Sequence, residues 1–224
     1  MTLRVVLFDF DGTLVDTTEL IYQSMRHATR SVLGRELSRE TLLAGVGRPL
    51  PQQMEVLDAE HAEELLETYR HHNEKHHNDF IKEFPGVEKT LARLQHAGLE
   101  VGVVTSKRRP SVRMALDSFP GLGEVTDRFV TMEDTTEHKP HPEPLLAGLR
   151  RLGGVSPEEA AYVGDSPYDI EAARAAGVVS VGVSWGAFPE DALRAAGPDY
   201  LVPDLDAAAD ILLELAADQG GGTS

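Results

Sequence analysis

Two aspartates separated by a single residue, Asp9 and Asp11, follow directly on the apolar run Leu3-Arg4-Val5-Val6-Leu7-Phe8. Carboxylates this close repel each other unless a cation lies between them or one keeps its proton. Gly12 permits a sharp exit from the run, and Asp16 or Thr17 can cap a following helix. Further along stand Thr105-Ser106-Lys107, then Lys139 in a proline-rich turn, then Gly164-Asp165 with Asp169 close behind. Clustered carboxylates in a chain with no cysteine suit a hard cation that seeks oxygen, Mg2+ before Zn2+. The hydroxyls and backbone amides at Thr105-Ser106, together with Lys139, suit the oxygens of a phosphoryl group. One aspartate could then attack phosphorus to give an aspartyl phosphate. A second, two residues on, could protonate the leaving oxygen and later take a proton from water.

These residues work together only if the fold gathers them. Val5 to Phe8 reads as a strand buried on both faces. Residues 17–82 then read as an all-helical block without a strand. Its helices are expected at Thr18–Leu33 (stopped by Gly34), Ser38–Ala44, Pro51–Asp58 and Ala62–Asn78, with a linker from Asp79 to Pro85. From Gly86 strands and helices alternate. Strands are expected at Leu99–Val104, near Arg128–Thr131, at Ala160–Val163, at Val178–Val183 and at Tyr200–Val202. Such alternation predicts an α/β fold, a Rossmann-like parallel sheet with helices on both faces. The division expected is a core of residues 1–16 and 83–224, with a small helical domain of residues 17–82 inserted after the first strand. In an open parallel sheet, ligands bind beyond the carboxyl ends of the strands. Asp9 and Asp11, Thr105 and Ser106, Lys139, and Asp165 with Asp169 all fall on that edge.

Composition narrows the partners. The 224 residues carry a formal net charge of −16, with 41% hydrophobic and 26% charged residues. This is ordinary for a globular protein, and its acidity argues against a nucleic-acid partner. No apolar run reaches membrane-spanning length, so the expectation is a cytoplasmic protein without a membrane partner. Gly220 to Ser224 reads as a frayed tail. Oligomeric state, monomer or homodimer, is not encoded in any readable pattern.

Asp9-Phe10-Asp11-Gly12-Thr13, Thr105-Ser106, Lys139 and Gly164-Asp165 with Asp169 resemble, in order, the four motifs of the haloacid dehalogenase superfamily. The resemblance spans nearly the whole chain. It is nearest to the phosphoglycolate-phosphatase-like and pyrophosphatase-like members, through Val46 to Leu50 and Tyr69 to Val87. It implies Asp9 as nucleophile, Asp11 as general acid and base, and Thr105 and Lys139 as phosphoryl-binding groups. Mg2+ would lie on Asp9, the Asp11 backbone carbonyl and Asp165, with Asp169 in support. Gly12, Ser106 and Arg48 complete the expected substrate contacts, Arg48 as a residue that reaches a second anionic group or else as plain loop charge. The function implied is hydrolysis of a small phosphorylated metabolite, of phosphoglycolate or sugar-phosphate type. Inorganic pyrophosphate hydrolysis, phosphosugar mutation and non-catalytic phosphate binding are the alternatives. Dehalogenation fits less well, because that branch lacks an acid at the position of Asp11. His72 and His76 stand four apart on a helix, but Asn73 occupies the place of the glutamate in a zinc-protease motif, so a solvated helix face is expected there.

Overall fold

Val5, Val6, Leu7 and Phe8 are all buried, and this strand, β1 (Val5–Phe8), lies in the middle of the sheet. The structure is a computed structural model and describes residues 2–217. After β2 (Val15–Asp16) come four helices, α1 (Thr18–Leu33), α2 (Arg39–Leu43), α3 (Leu50–Leu57) and α4 (Ala62–Phe80), and then β3 (Lys82–Glu83). Next are α5 (Val87–His96), β4 (Glu100–Val104), α6 (Arg109–Ser118), α7 (Pro120–Val125) and β5 (Phe129–Val130). The chain finishes with α8 (Glu143–Arg151), β6 (Ala160–Gly164), α9 (Pro167–Ala176), β7 (Val179–Val183), α10 (Glu190–Ala196), β8 (Tyr200–Val202) and α11 (Leu205–Ala217).

The large sheet runs β5-β4-β1-β6-β7-β8, and every pairing in it is parallel. Period-two alternation splits β1 between two cores. Val6 and Phe8 face one cluster with Leu91, Leu94, Leu122, Ala208 and Leu212, from α5, α7 and α11. Val5 and Leu7 face the other with Leu145, Leu149, Ala172 and Ala173, from α8 and α9. Strand order reverses at β1, which therefore ends at the crevice where such sheets bind ligands.

The helices α1 to α4 enclose a third cluster around Met25, Leu42, Met54 and Leu65. Gly34 ends α1 in the left-handed conformation, with its N–H on the Arg30 carbonyl. This segment is not wholly helical. Lys82, expected within it, belongs to β3, which pairs antiparallel with β2 (Val15 opposite Glu83, Asp16 opposite Lys82). α4 also continues to Phe80, through the start of the expected linker. The two short strands form a ribbon where the chain leaves the core and returns to it. A second departure is α7, in a stretch containing a proline and two glycines for which no element is expected. Its Leu122 is buried in the core beside α5, and that burial overrides the weak local propensity. No helix of the described residues is long and apolar enough to cross a membrane. The expected frayed tail lies outside the described residues.

Candidate active site

The carboxyl ends of β1, β4 and β6 deliver the predicted residues to one place. Asp9 follows β1 directly, and its N–H donates to the Val163 carbonyl at 2.8 Å, which extends the ladder by one residue. Its carboxylate is buried and lies 2.9 Å from Lys139 Nζ. Asp165 and Asp169 are buried beside it, and the three aspartates offer oxygens within 4.8 Å of one another. Gly12, Gly164 and Gly186 make this approach possible. A Cβ on Gly12 or Gly186 would overlap the Asp165 carboxylate, and one on Gly164 would overlap Asp169. Gly12 also has a positive φ of 76°, which glycine adopts freely. Its N–H donates to the Val15 carbonyl, so the contribution of Gly12 seen here is room for Asp165.

Each carboxylate has different partners. Asp169 Oδ2 accepts from the Ser166 N–H (3.0 Å) and hydroxyl (2.6 Å), closing the capping box that starts α9. Its Oδ1 accepts from Lys139 Nζ at 2.7 Å, so both oxygens are engaged by the protein. Asp165 Oδ2 accepts from the Ala187 N–H at 2.7 Å. Lys139 Nζ also donates to the Tyr162 hydroxyl at 3.0 Å, which itself donates to the Val104 carbonyl at 2.8 Å. One buried ammonium therefore pairs with two of the three buried carboxylates.

The charges respond accordingly. Burial pushes Asp9 up to about 7, against the pull of Lys139, with Asp169 and Asp11 adding repulsion. Burial, then Asp169 and Asp9, hold Asp165 well above the usual carboxylate range. For Lys139, burial disfavours the charge, but Asp169 and Asp9 outweigh it and raise its pKa. Fully ionised, the three carboxylates would outnumber the one ammonium beside them, and the raised pKa values of Asp9 and Asp165 follow from that imbalance together with burial.

Asp11 is turned elsewhere. Its Oδ1 accepts from the Thr17 hydroxyl at 2.8 Å and from Lys107 Nζ at 2.7 Å, and its carboxylate is not one of the trio. Thr105 is buried at the end of β4, and its hydroxyl accepts from the Lys107 N–H at 3.2 Å. Asp9, Asp11, Thr105, Ser106 and Lys139 line a cleft with an empty volume of about 730 Å³, including its open mouth. The opposite wall comes from α1, α3, α4 and the loop 44–49, with Arg48 and Arg70 among its residues. Ser106 Oγ donates to the Gly47 carbonyl at 2.7 Å, across the two walls. Arg48 lays its guanidinium 4.5 Å over the Tyr168 ring.

Four participants escaped the sequence reading. Lys107 was visible beside Thr105-Ser106 but gave no sign of its pairing with Asp11. Tyr162 reads as an ordinary core aromatic within a strand. Arg70 and Arg108 read as surface charge, since nothing local tells a helix or loop arginine that faces a cleft from one that faces water.

The haloacid dehalogenase-like hydrolase family model matches residues 6–183. The chain belongs to that family. A pyrophosphatase, PpaX, of Bacillus cereus is 38% identical over 212 residues, covering 95% of this chain and 96% of that protein. Among solved structures, one described as a predicted phosphatase from Clostridium acetobutylicum matches with a TM-score of 0.84 and 26% identity, over 96% of this chain and all of the other. Another, described as a predicted phosphoglycolate phosphatase from Haemophilus somnus, matches with a TM-score of 0.79 and 25% identity, over 94% and 98%. Within the haloacid dehalogenase-like hydrolases, the chain is a phosphatase-type member.

Proposed function

We propose that this hydrolase removes the phosphoryl group from a small phosphorylated metabolite, with Mg2+ as its cation and residues 17–82 as a cap over the cleft. The observation that carries this reading is the buried trio Asp9, Asp165 and Asp169, with Lys139 as the one cation paired to it among the described residues. The donors are all oxygen, and the trio when ionised outnumbers its one ammonium, which fits a hard dication. Asp9, Asp165 and the Asp11 carbonyl would hold it. Asp169 already spends both oxygens on Ser166 and Lys139, so its part is to orient the site. Bound there, Mg2+ supplies Lewis-acid polarisation of a phosphoryl oxygen and offsets the charge between Asp9 and the incoming phosphate.

Asp9 attacks phosphorus, forming its own O–P bond as the bond to the leaving oxygen breaks. Asp11 gives the leaving oxygen its proton. When water attacks the aspartyl phosphate, Asp11 takes the proton back and Asp9 is freed. Thr105 and Lys139 hold the remaining phosphoryl oxygens. Gly12, Ser106 and Arg48 belong to the substrate's surroundings, the last two once they leave Gly47 and Tyr168.

Pyrophosphate is a specific second candidate, supported by the likeness to the Bacillus cereus pyrophosphatase and by the basic side chains of the cleft. Phosphate release from phosphoglycolate, a sugar phosphate and pyrophosphate, each with Mg2+, separates these substrates. Asp9→Asn should cut turnover on the best of them by at least about a thousandfold, with the melting temperature equal to or above that of the parent. Full activity in this variant would overturn the assignment of the nucleophile. An isomeric phosphate product without free phosphate would indicate a mutase.

A further inference from the structure

Five basic side chains line the cleft among the described residues, and four of them have an internal partner. Lys139 lies between Asp9 and Asp169. Lys107 pairs with Asp11 at 2.7 Å, and Arg108 reaches Glu74 at 3.4 Å. Arg48 is stacked on Tyr168. Arg70, on α4, is the exception. Its Nε is buried without a hydrogen-bond partner, and its side chain forms no ion pair among the described residues. Burial and then the nearby Arg108 both weigh against its charge.

A guanidinium stays charged under such conditions, so two arginines share a partly dry wall with Glu74 paired to Arg108 and Glu67 acting on Arg70 only without contact. An arginine is held in this way at a cost, and that cost is offset when an anion arrives. Its planar fork fits the two oxygens of a carboxylate or phosphate. Arg70 belongs to the wall opposite Asp9, Thr105 and Lys139, the side on which a leaving group would project. Arg48 is the less suitable candidate, because it would first have to give up its aromatic partner.

We propose that Arg70, with Arg108 beside it, forms a subsite for a second anionic group on the leaving-group side of the substrate. The enzyme then selects phosphate compounds that carry a carboxylate or another phosphate over those with a neutral leaving group. The subsite rests on the phosphatase reading above.

The test compares kcat/KM for phosphoglycolate, pyrophosphate and phenyl phosphate, with Mg2+, in the parent enzyme and in Arg70→Gln, Arg70→Lys and Arg108→Gln. The parent should favour at least one doubly anionic substrate over phenyl phosphate by about tenfold or more. Arg70→Gln should lower that ratio by about tenfold, mainly through KM, and Arg70→Lys should recover part of it. Whichever doubly anionic substrate loses more shows whether the subsite takes a carboxylate or a phosphate. Should Arg70→Gln melt early, Arg70→Lys and Arg108→Gln report the same ratio in a folded protein. A parent that hydrolyses all three without preference, or variants with an unchanged ratio, would overturn the subsite and leave the phosphatase reading standing. Phosphate release from none of the three would overturn both.

Discussion

Lys139 is the residue on which the buried acids depend. With its side chain 1% exposed, it lies 2.9 Å from Asp9 and 2.7 Å from Asp169. Lys139→Met keeps much of the volume and strands two carboxylates in a dry site. Removing one partner of a buried ion pair costs about 3–5 kcal/mol, so the urea midpoint should fall by a corresponding amount, and phosphate release should fall with it. Gly12→Ala acts through space. The new methyl group meets the Asp165 carboxylate at a backbone φ that alanine resists. Calorimetric titration should show Mg2+ affinity lowered by about tenfold or more, the loss typical of disturbed support around a metal site.

At the scale of elements, the contact between α1 and α4 carries a titratable stack. The rings of His27 and His72 are stacked with centroids 4.6 Å apart, and His72 and His76 are equally close. His72 Nδ1 meets the Ser24 hydroxyl at 3.1 Å, and His76 pairs with Asp79 at 2.9 Å. Burial, then His27 and His76, push His72 down to about 4 from its ordinary value of 6.5. Between those values the unfolded chain binds the proton more readily than the folded one. The stability contributed by neutral His72 is therefore complete above pH 6.5 and is lost as pH falls toward 4. The melting temperature of the parent should therefore lose ground to that of His72→Gln between pH 7 and pH 5, whatever the raised Asp9 and Asp165 contribute to both. The helix bearing Ser24 was itself legible in the sequence, because apolar residues at helical spacing end at Gly34. The ribbon of β2 and β3 was not, since two residues per strand show no alternation. The aspartates were legible because each follows a buried strand, whereas Lys107 and Tyr162 find their partners only across the fold, through Asp11 and through Lys139 with Asp169.

Over the whole molecule, the proposed cap and the sheet-bearing part are tied together around the cleft. Ser106 bonds the Gly47 carbonyl, the Tyr168 hydroxyl donates to the Ala44 carbonyl at 3.3 Å, and Arg108 reaches Glu74. Closure of this kind excludes water from phosphoryl transfer. A cation bound beneath it stabilises the folded chain by mass action, about 2.7 kcal/mol at a hundred times its dissociation constant. Mg2+ should therefore raise the melting temperature, EDTA should reverse the rise, and Asp165→Asn should abolish it. The place of β1 between β4 and β6 has a consequence for synthesis. Asp9 leaves the ribosome well ahead of Asp165 and Asp169, which lie more than 150 residues further along the chain. A product cut short before residue 165 holds the residues of α1 to α4, whose contacts are local, yet its central strand lacks β6 on one side and Asp9, the proposed nucleophile, lacks Asp165 and Asp169. Such a fragment carries the helices that wall the cleft, while the carboxylates gathered beside Asp9 arrive only with residues 165–169.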